Sequence, residues 1–255
     1  MKIGSAEWEY AGGPPLSIAQ RVGLLTGMGV VLAKDSGGRL GSKLGIGGCA
    51  PRVDLERWTP PDTDAVHAAE AFLEKTASRE FINHSLRCYW FSAIAYESSG
   101  ARTPIDREVL YLATLMHDVG LFTRQADDEH CFSVTGAREA RRIAAAGGWH
   151  PDRIDRLAAA ITANLNPFVP ARTFGAEAHF FSRGGIIDVL AQGWKVHRDN
   201  LRTILAEHPR EGFADDTART IAREVARNPG CRFACFGPVF PIMVQRGRFA
   251  GIELV

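Results

Sequence analysis

The chain has 255 residues, 45% of them hydrophobic, and a formal net charge of +1. That supplies the core of one large domain or two small ones, and the near-zero charge leaves no electrostatic footprint for nucleic acid or an anionic membrane. No apolar run approaches the roughly 20 residues of a membrane helix, and the first seven residues lack a signal peptide's apolar region. Five cysteines (Cys49, Cys88, Cys131, Cys231, Cys235) are scattered and odd in number. Cys231 and Cys235 have no second Cys/His pair at zinc-site spacing. The cysteines read as free thiols in a reducing compartment, so a soluble cytoplasmic protein is expected.

Residues 1–59 read as an irregular N-terminal extension packing on a core. Gly12-Gly13-Pro14-Pro15 breaks any early element, and a short helix is expected from Leu16 to Leu25. The glycine-rich stretch Gly37–Gly48 lacks Walker spacing and reads as a flexible loop or lid. From Pro60 the pattern becomes helical. Val66, Ala69 and Phe72 recur at helical spacing after Thr63. Ser78 can cap a helix through Phe81, Leu86 and Ile94. Thr103-Pro104 reads as the start of the next helix, ending at His117-Asp118. The acidic stretch Asp127-Asp128-Glu129 reads as a loop before a helix over 135–145. Further helices are expected from Pro151, over 176–190, over 198–206 and over 215–225. No period-two alternation lasts long enough for a sheet, so the fold class is all-α with one core over 60–227. The tail, 228–255, is rich in Gly, Pro and Phe and is expected to be irregular.

Met116-His117-Asp118-Val119-Gly120 is the stretch around which the chemistry gathers. An imidazole and a carboxylate are good donors for a divalent ion. Adjacent helical residues point about 100° apart, so both can reach one ion only where a helix ends, and Gly120 favours such an end. His84 lies inside an amphipathic helix, and Asp188 is flanked by Ile186, Ile187, Val189 and Leu190. A buried aspartate is costly unless it is paired or bound to metal. Taken singly, His84 also reads as a hydrogen-bonded core histidine and Asp188 as a salt-bridged residue. Arg87, three residues after His84, shares its face. It reads equally as a group steering Asp118 or charge in the site and as a buried salt bridge.

The order His84, His117-Asp118, Asp188 resembles the HD-domain metal-dependent hydrolase superfamily. Asn83-His84-Ser85-Leu86-Arg87-Cys88-Tyr89, Leu115-Met116-His117-Asp118-Val119-Gly120-Leu121 and Phe132-Ser133-Val134-Thr135-Gly136-Ala137 look like its cyanamide hydratase branch. The similarity spans about residues 60–215. The resemblance implies an HD-domain helical bundle and one divalent ion, zinc in that branch, with iron, manganese or nickel as alternatives. Its ligands would be His84, His117, Asp118 and Asp188. Asp118, Arg87 and Asn83 would serve catalysis, and Asn164 and Asn166 would meet substrate; Phe132 is placed with them, although it reads first as a core residue. Two-metal relatives carry extra histidines where Ser133 and Asn164 stand here, so one ion is expected. Many phosphohydrolases carry lysine where Leu121 stands, which favours a small, neutral substrate with a nitrile-like or C–N carbon. Asn164 replaces a histidine common in the branch, so cyanamide itself need not be the substrate. The alternatives are a nucleotide phosphohydrolase, a mono-iron oxygen-using enzyme, or a degenerate sensor or scaffold. The partner expected is a small molecule, not nucleic acid or membrane, with self-association left open.

Overall fold

The computed structural model describes residues 1–46, 50–123, 130–237, 239–246 and 249. Among them no strand occurs, and the fold is all-α. The N-terminal helices are α1 (Ala6–Tyr10) and α2 (Ile18–Lys43), followed by α3 (Asp64–Thr76), α4 (Arg79–Ser99) and α5 (Arg107–Met116). Then come α6 (Gly120–Thr123), α7 (Phe132–Ala146), α8 (Pro151–Ala163), α9 (Ala171–Phe174) and α10 (Ala176–Val189). The chain continues through α11 (Arg198–Glu207), α12 (Phe213–Arg227), α13 (Arg232–Phe236) and α14 (Val239–Arg246). No helix among the described residues is long and apolar enough to cross a membrane.

Several starts follow from their caps. The side chains of Ser17, Thr63 and Ser78 each accept a backbone N–H of the first turn they precede. The start of α5 differs from the sequence expectation. It begins at Arg107, not near Thr103-Pro104, because Asp106 accepts the N–H of Val109. Two bonds from Arg153, at 2.7 and 2.8 Å, hold that carboxylate in place.

Both extensions carry more helix than expected, the N-terminal one well beyond the short helix read over Leu16–Leu25. Helix α2 runs 26 residues, straight through Gly37, Gly38 and Gly41. Ser17 and Gln20 form a capping box at its start. Interior glycine costs about 1 kcal/mol against alanine, but Gly38 also answers a packing need. A Cβ there would lie 2.3 Å from the Trp194 ring. Asp35, accepting from Arg39 and from Gln192, ties the same stretch to the body. At the other end, α13 and α14 form within the stretch expected to be irregular, because their phenylalanines have a core to join. Gly47, Gly48, Cys49 and the acidic stretch 127–129 lie outside the described residues.

One apolar core gathers residues from α3, α4, α5, α7, α8 and α10. A second joins the two ends of the chain, with Trp8, Leu24, Phe132, Phe213, Phe233 and Phe240. The site lies where the two cores meet.

Candidate metal centre

Helices α4 and α10 lie antiparallel, and a glycine sets their register. A Cβ on Gly184 would stand 2.5 Å from Cys88 O and 2.6 Å from Ser92 N. The two backbones therefore touch there, as only glycine permits. One turn further along, the register brings Asp188 opposite His84, with Oδ2 2.6 Å from Nδ1.

Helix α5 ends at Met116, and His117 is its C-cap. The imidazole and the next carboxylate can therefore converge, and His117 Nε2 lies 3.0 Å from Asp118 Oδ2. Gly120 acts differently from the sequence expectation. It opens α6 instead of closing α5 in a left-handed turn, and its missing side chain is what counts. Phe132 O sits where a Cβ would be, 1.9 Å away.

His84, His117 and Asp118 face one another at the floor of a cavity. His84 Nε2 is 3.7 Å from Asp118 Oδ2. Donors sharing one tetrahedral ion at ~2.1 Å stand roughly 3.4 Å apart. The observed separations bracket that spacing, so the donors fit a divalent ion. Each imidazole is also backed. His117 Nδ1 donates to Thr114 O at 2.8 Å. His84 Nδ1 donates to Asp188, which is ionised and can only accept. Both Nε2 atoms are thereby left to the cavity, the arrangement that orients a histidine ligand.

Charge supports the same picture. Burial lowers His84 below the ordinary imidazole value, against the pull of Asp188. Burial would lower His117 too, but the Asp118 carboxylate outweighs it and raises the imidazole. Asp118 is lowered although its burial opposes this, mainly by His117. A cation would compete with the proton those two share.

Asp188 is wholly buried, and it is absent from the cavity lining. Both its oxygens are engaged. Arg87 donates from Nε to Oδ1 at 2.6 Å and from Nη2 to Oδ2 at 3.0 Å, and His84 takes the other side of Oδ2. Burial would raise its pKa, but the Arg87 guanidinium holds the carboxyl far below the usual range. In this arrangement Asp188 stands behind His84 and would reach an ion only by releasing it.

The remaining expected site residues divide. Asn164 and Asn166 line the cavity. Arg87 is fully buried behind Asp188 and reaches neither the cavity nor Asp118; its Nη1 donates to Pro209 O at 2.7 Å. Asn83 donates to the same carbonyl at 3.2 Å. The two brace the 208–209 turn instead of facing a substrate. Phe132 stacks on Phe233, centroids 4.9 Å apart, inside the second core and away from the cavity. Aromatic stacking wins there because α13 arrives beside α7.

The sequence reading missed Thr114, Cys88 and Phe213. Phe213 stacks on the His84 ring at 4.6 Å. Thr114 carries no signal beyond its place three residues before His117. Cys88 groups with His84 and His117 within 4.8 Å. Its sulfur is 3.7 Å from both nitrogens of His84. A co-ligand of an ion on Nε2 would be nearer Nε2 than Nδ1, so Cys88 packs against the ring as a neutral thiol. Burial raises its pKa well above the ordinary value.

Ser133, where two-metal relatives carry histidine, accepts a hydrogen bond from Arg232 Nη2. That guanidinium is buried and also donates to Thr162 O at 2.8 Å. A fixed cation beside Ser133 repels a second metal there.

A helical bundle with a His/His-Asp floor defines a metal-binding helical protein. Residues 81–207, from Phe81 in α4 to the end of α11, match the HD domain family. Such domains generally act as metal-dependent hydrolases. No curated protein matches the chain.

Proposed function

We propose that the protein is a single-metal hydratase or hydrolase acting on a nitrile-like or C–N carbon of a small neutral molecule. The observation that carries this is the convergence of His84 Nε2, His117 Nε2 and Asp118 Oδ2 on one cavity. The ion, zinc by resemblance, would rest on these three groups, with Asp188 behind His84 as the fourth member of the set. When bound, it would supply Lewis acidity that brings the pKa of water toward ~7.

The chain's own groups do the rest. Asp118 can hold and return the proton of an attacking water, because His117 keeps its carboxylate ionised. Asn164, at the C-cap of α8, can both donate and accept toward substrate, although it cannot titrate near neutral pH. The apolar walls keep bulk water from the reacting carbon. Among the described residues no lysine or arginine lines the cavity, which favours a neutral substrate over a nucleotide.

Metal analysis of the purified protein should find about one equivalent of a divalent ion per chain. A panel of cyanamide, nitriles and amides should release urea, amide or ammonia, and nucleotides should release no phosphate. His117→Ala should lose both metal and turnover. Two equivalents of iron, or full turnover in that variant, would overturn the reading.

A further inference from the structure

Beyond His84, His117 and Asp118 the cavity lining has few polar side chains, those of Asn164, Asn166, Ser182 and Thr217. The rest of the walls are hydrocarbon. Met28 and Val31 come from α2, Ile221 from α12, and Phe233, Phe240 and Met243 from α13 and α14. All six lie outside the stretch matched as an HD domain. The cavity volume is about 80 Å³, several times the 10–15 Å³ or so that one water needs. A dry wall of this kind gains nothing from a hydrated polar guest.

Two polar atoms of the lining lack a partner: the Thr217 hydroxyl, which can rotate to donate or accept, and the amide oxygen of Asn166, which can only accept. Asn166 lines the cavity and donates from Nδ2 to Ile3 O at 2.8 Å. That bond fixes the amide orientation and leaves Oδ1 buried with no hydrogen-bond partner. An unmet buried acceptor costs about 1–3 kcal/mol, so an N–H or O–H arriving there is rewarded.

We infer that the natural ligand is a neutral molecule with a slender hydrocarbon body and one hydrogen-bond donor, the body held by the extension helices and the donor by Asn166 Oδ1. The inference rests on the single-metal reading only for what happens at the floor. The walls would select this class whatever the reaction. Cyanamide-sized molecules fill the floor and leave the walls unused. A phosphate or carboxylate on the body would find no lysine or arginine among the described lining residues.

The test is isothermal titration of the purified full-length protein with straight-chain primary alcohols from methanol to octanol. These carry the donor and the chain but offer no electrophilic carbon. Affinity should rise about fourfold per added methylene until the cavity is full. The methyl ether of the best-binding alcohol should bind several-fold more weakly, because it leaves Asn166 Oδ1 unmet. Val31→Trp, at a half-buried wall position, should stop the rise at a shorter chain while metal content stays as in the wild type. A flat series, or one unaffected by Val31→Trp, overturns the inference. Metal content of the same preparation reads the floor independently. A rising series on a protein without metal would sink the proposed function and leave this inference standing, and a flat series on a one-metal protein would do the reverse.

Discussion

The floor and the walls of the cavity are held by different physics. At the floor each polar group is fixed by another behind it. Thr114 holds His117, Asp188 holds His84, Arg87 holds Asp188, and the carbonyls of His208 and Pro209 hold Arg87. These bonds are directional, so a small misplacement breaks them. The walls are held mostly by shape, through residues such as Val31, Phe240 and Met243. Volume-conserving exchanges among such residues usually cost less than ~1.5 kcal/mol. The floor can therefore keep one chemistry while the walls are exchanged for another substrate.

The largest test of that contrast is Asp188→Ala. It leaves the Arg87 guanidinium buried with no carboxylate, and both side chains are fully inaccessible to solvent. Breaking one member of a buried pair costs about 3–5 kcal/mol. Urea unfolding should show a loss of that size, and metal affinity should fall because His84 is no longer oriented. A stability equal to the wild type would mean that the chain of support behind His84 does not operate. Exchanging Met243 for leucine at the wall should barely move either quantity.

A matched pair of glycine substitutions comes next. In Gly184→Ala the new methyl meets Cys88 O and Ser92 N, backbone atoms that cannot step aside. In Gly38→Ala its nearest neighbours are all atoms of the Trp194 ring, a side chain that can swing. Alanine is the better helix former by about 1 kcal/mol at either position, so any loss is a packing loss. Overpacking costs typically 1–3 kcal/mol. Gly184→Ala should reach or pass the top of that range and weaken metal binding, since it pushes Asp188 from His84. Gly38→Ala should lose about 1 kcal/mol or less and leave metal binding alone. Equal effects at the two sites would erase the distinction.

The same contrast explains what was legible in the sequence. The helices that carry the floor follow from spacing and caps, such as Ser78 before α4, but joining His84, His117, Asp118 and Asp188 into one set took the family resemblance, since taken singly His84 also reads as a core histidine and Asp188 as a salt-bridged residue. What spacing could not give was the direction of each side chain. Arg87 shares a face with His84 in the sequence, yet its guanidinium turns away to Asp188 and the 208–209 carbonyls. Phe132 likewise turns to Phe233, a partner about a hundred residues away in the chain. The walls were hidden for another reason. Gly37-Gly38 reads locally as a break, and only the tertiary approach of Trp194 makes glycine the residue that lets α2 continue. Local propensity lost there to a contact that no local pattern encodes.

The smallest effect concerns His208, at the far end of the chain of support. Its Nε2 accepts the indole N–H of Trp90 at 3.2 Å, which requires a neutral ring. Burial, with Arg87 and Arg79 adding, lowers its pKa to about 4 from an ordinary 6.5. Glu207, 3.9 Å away and exposed, pulls weakly the other way. Between those values the unfolded chain binds a proton that the native state refuses. The group's contribution is therefore fully present above pH 6.5, is lost as pH falls from there, and changes no further below about 4. The urea midpoint should drop from pH 7 to pH 5, and His208→Gln should drop by less over the same interval. Backbone carbonyls at 208 and 209 hold Arg87, so amide exchange at pH 5 should quicken around the α4–α10 contact before it does in α2. If α2 opened first, the walls and not the floor would be the part of the site tied to His208.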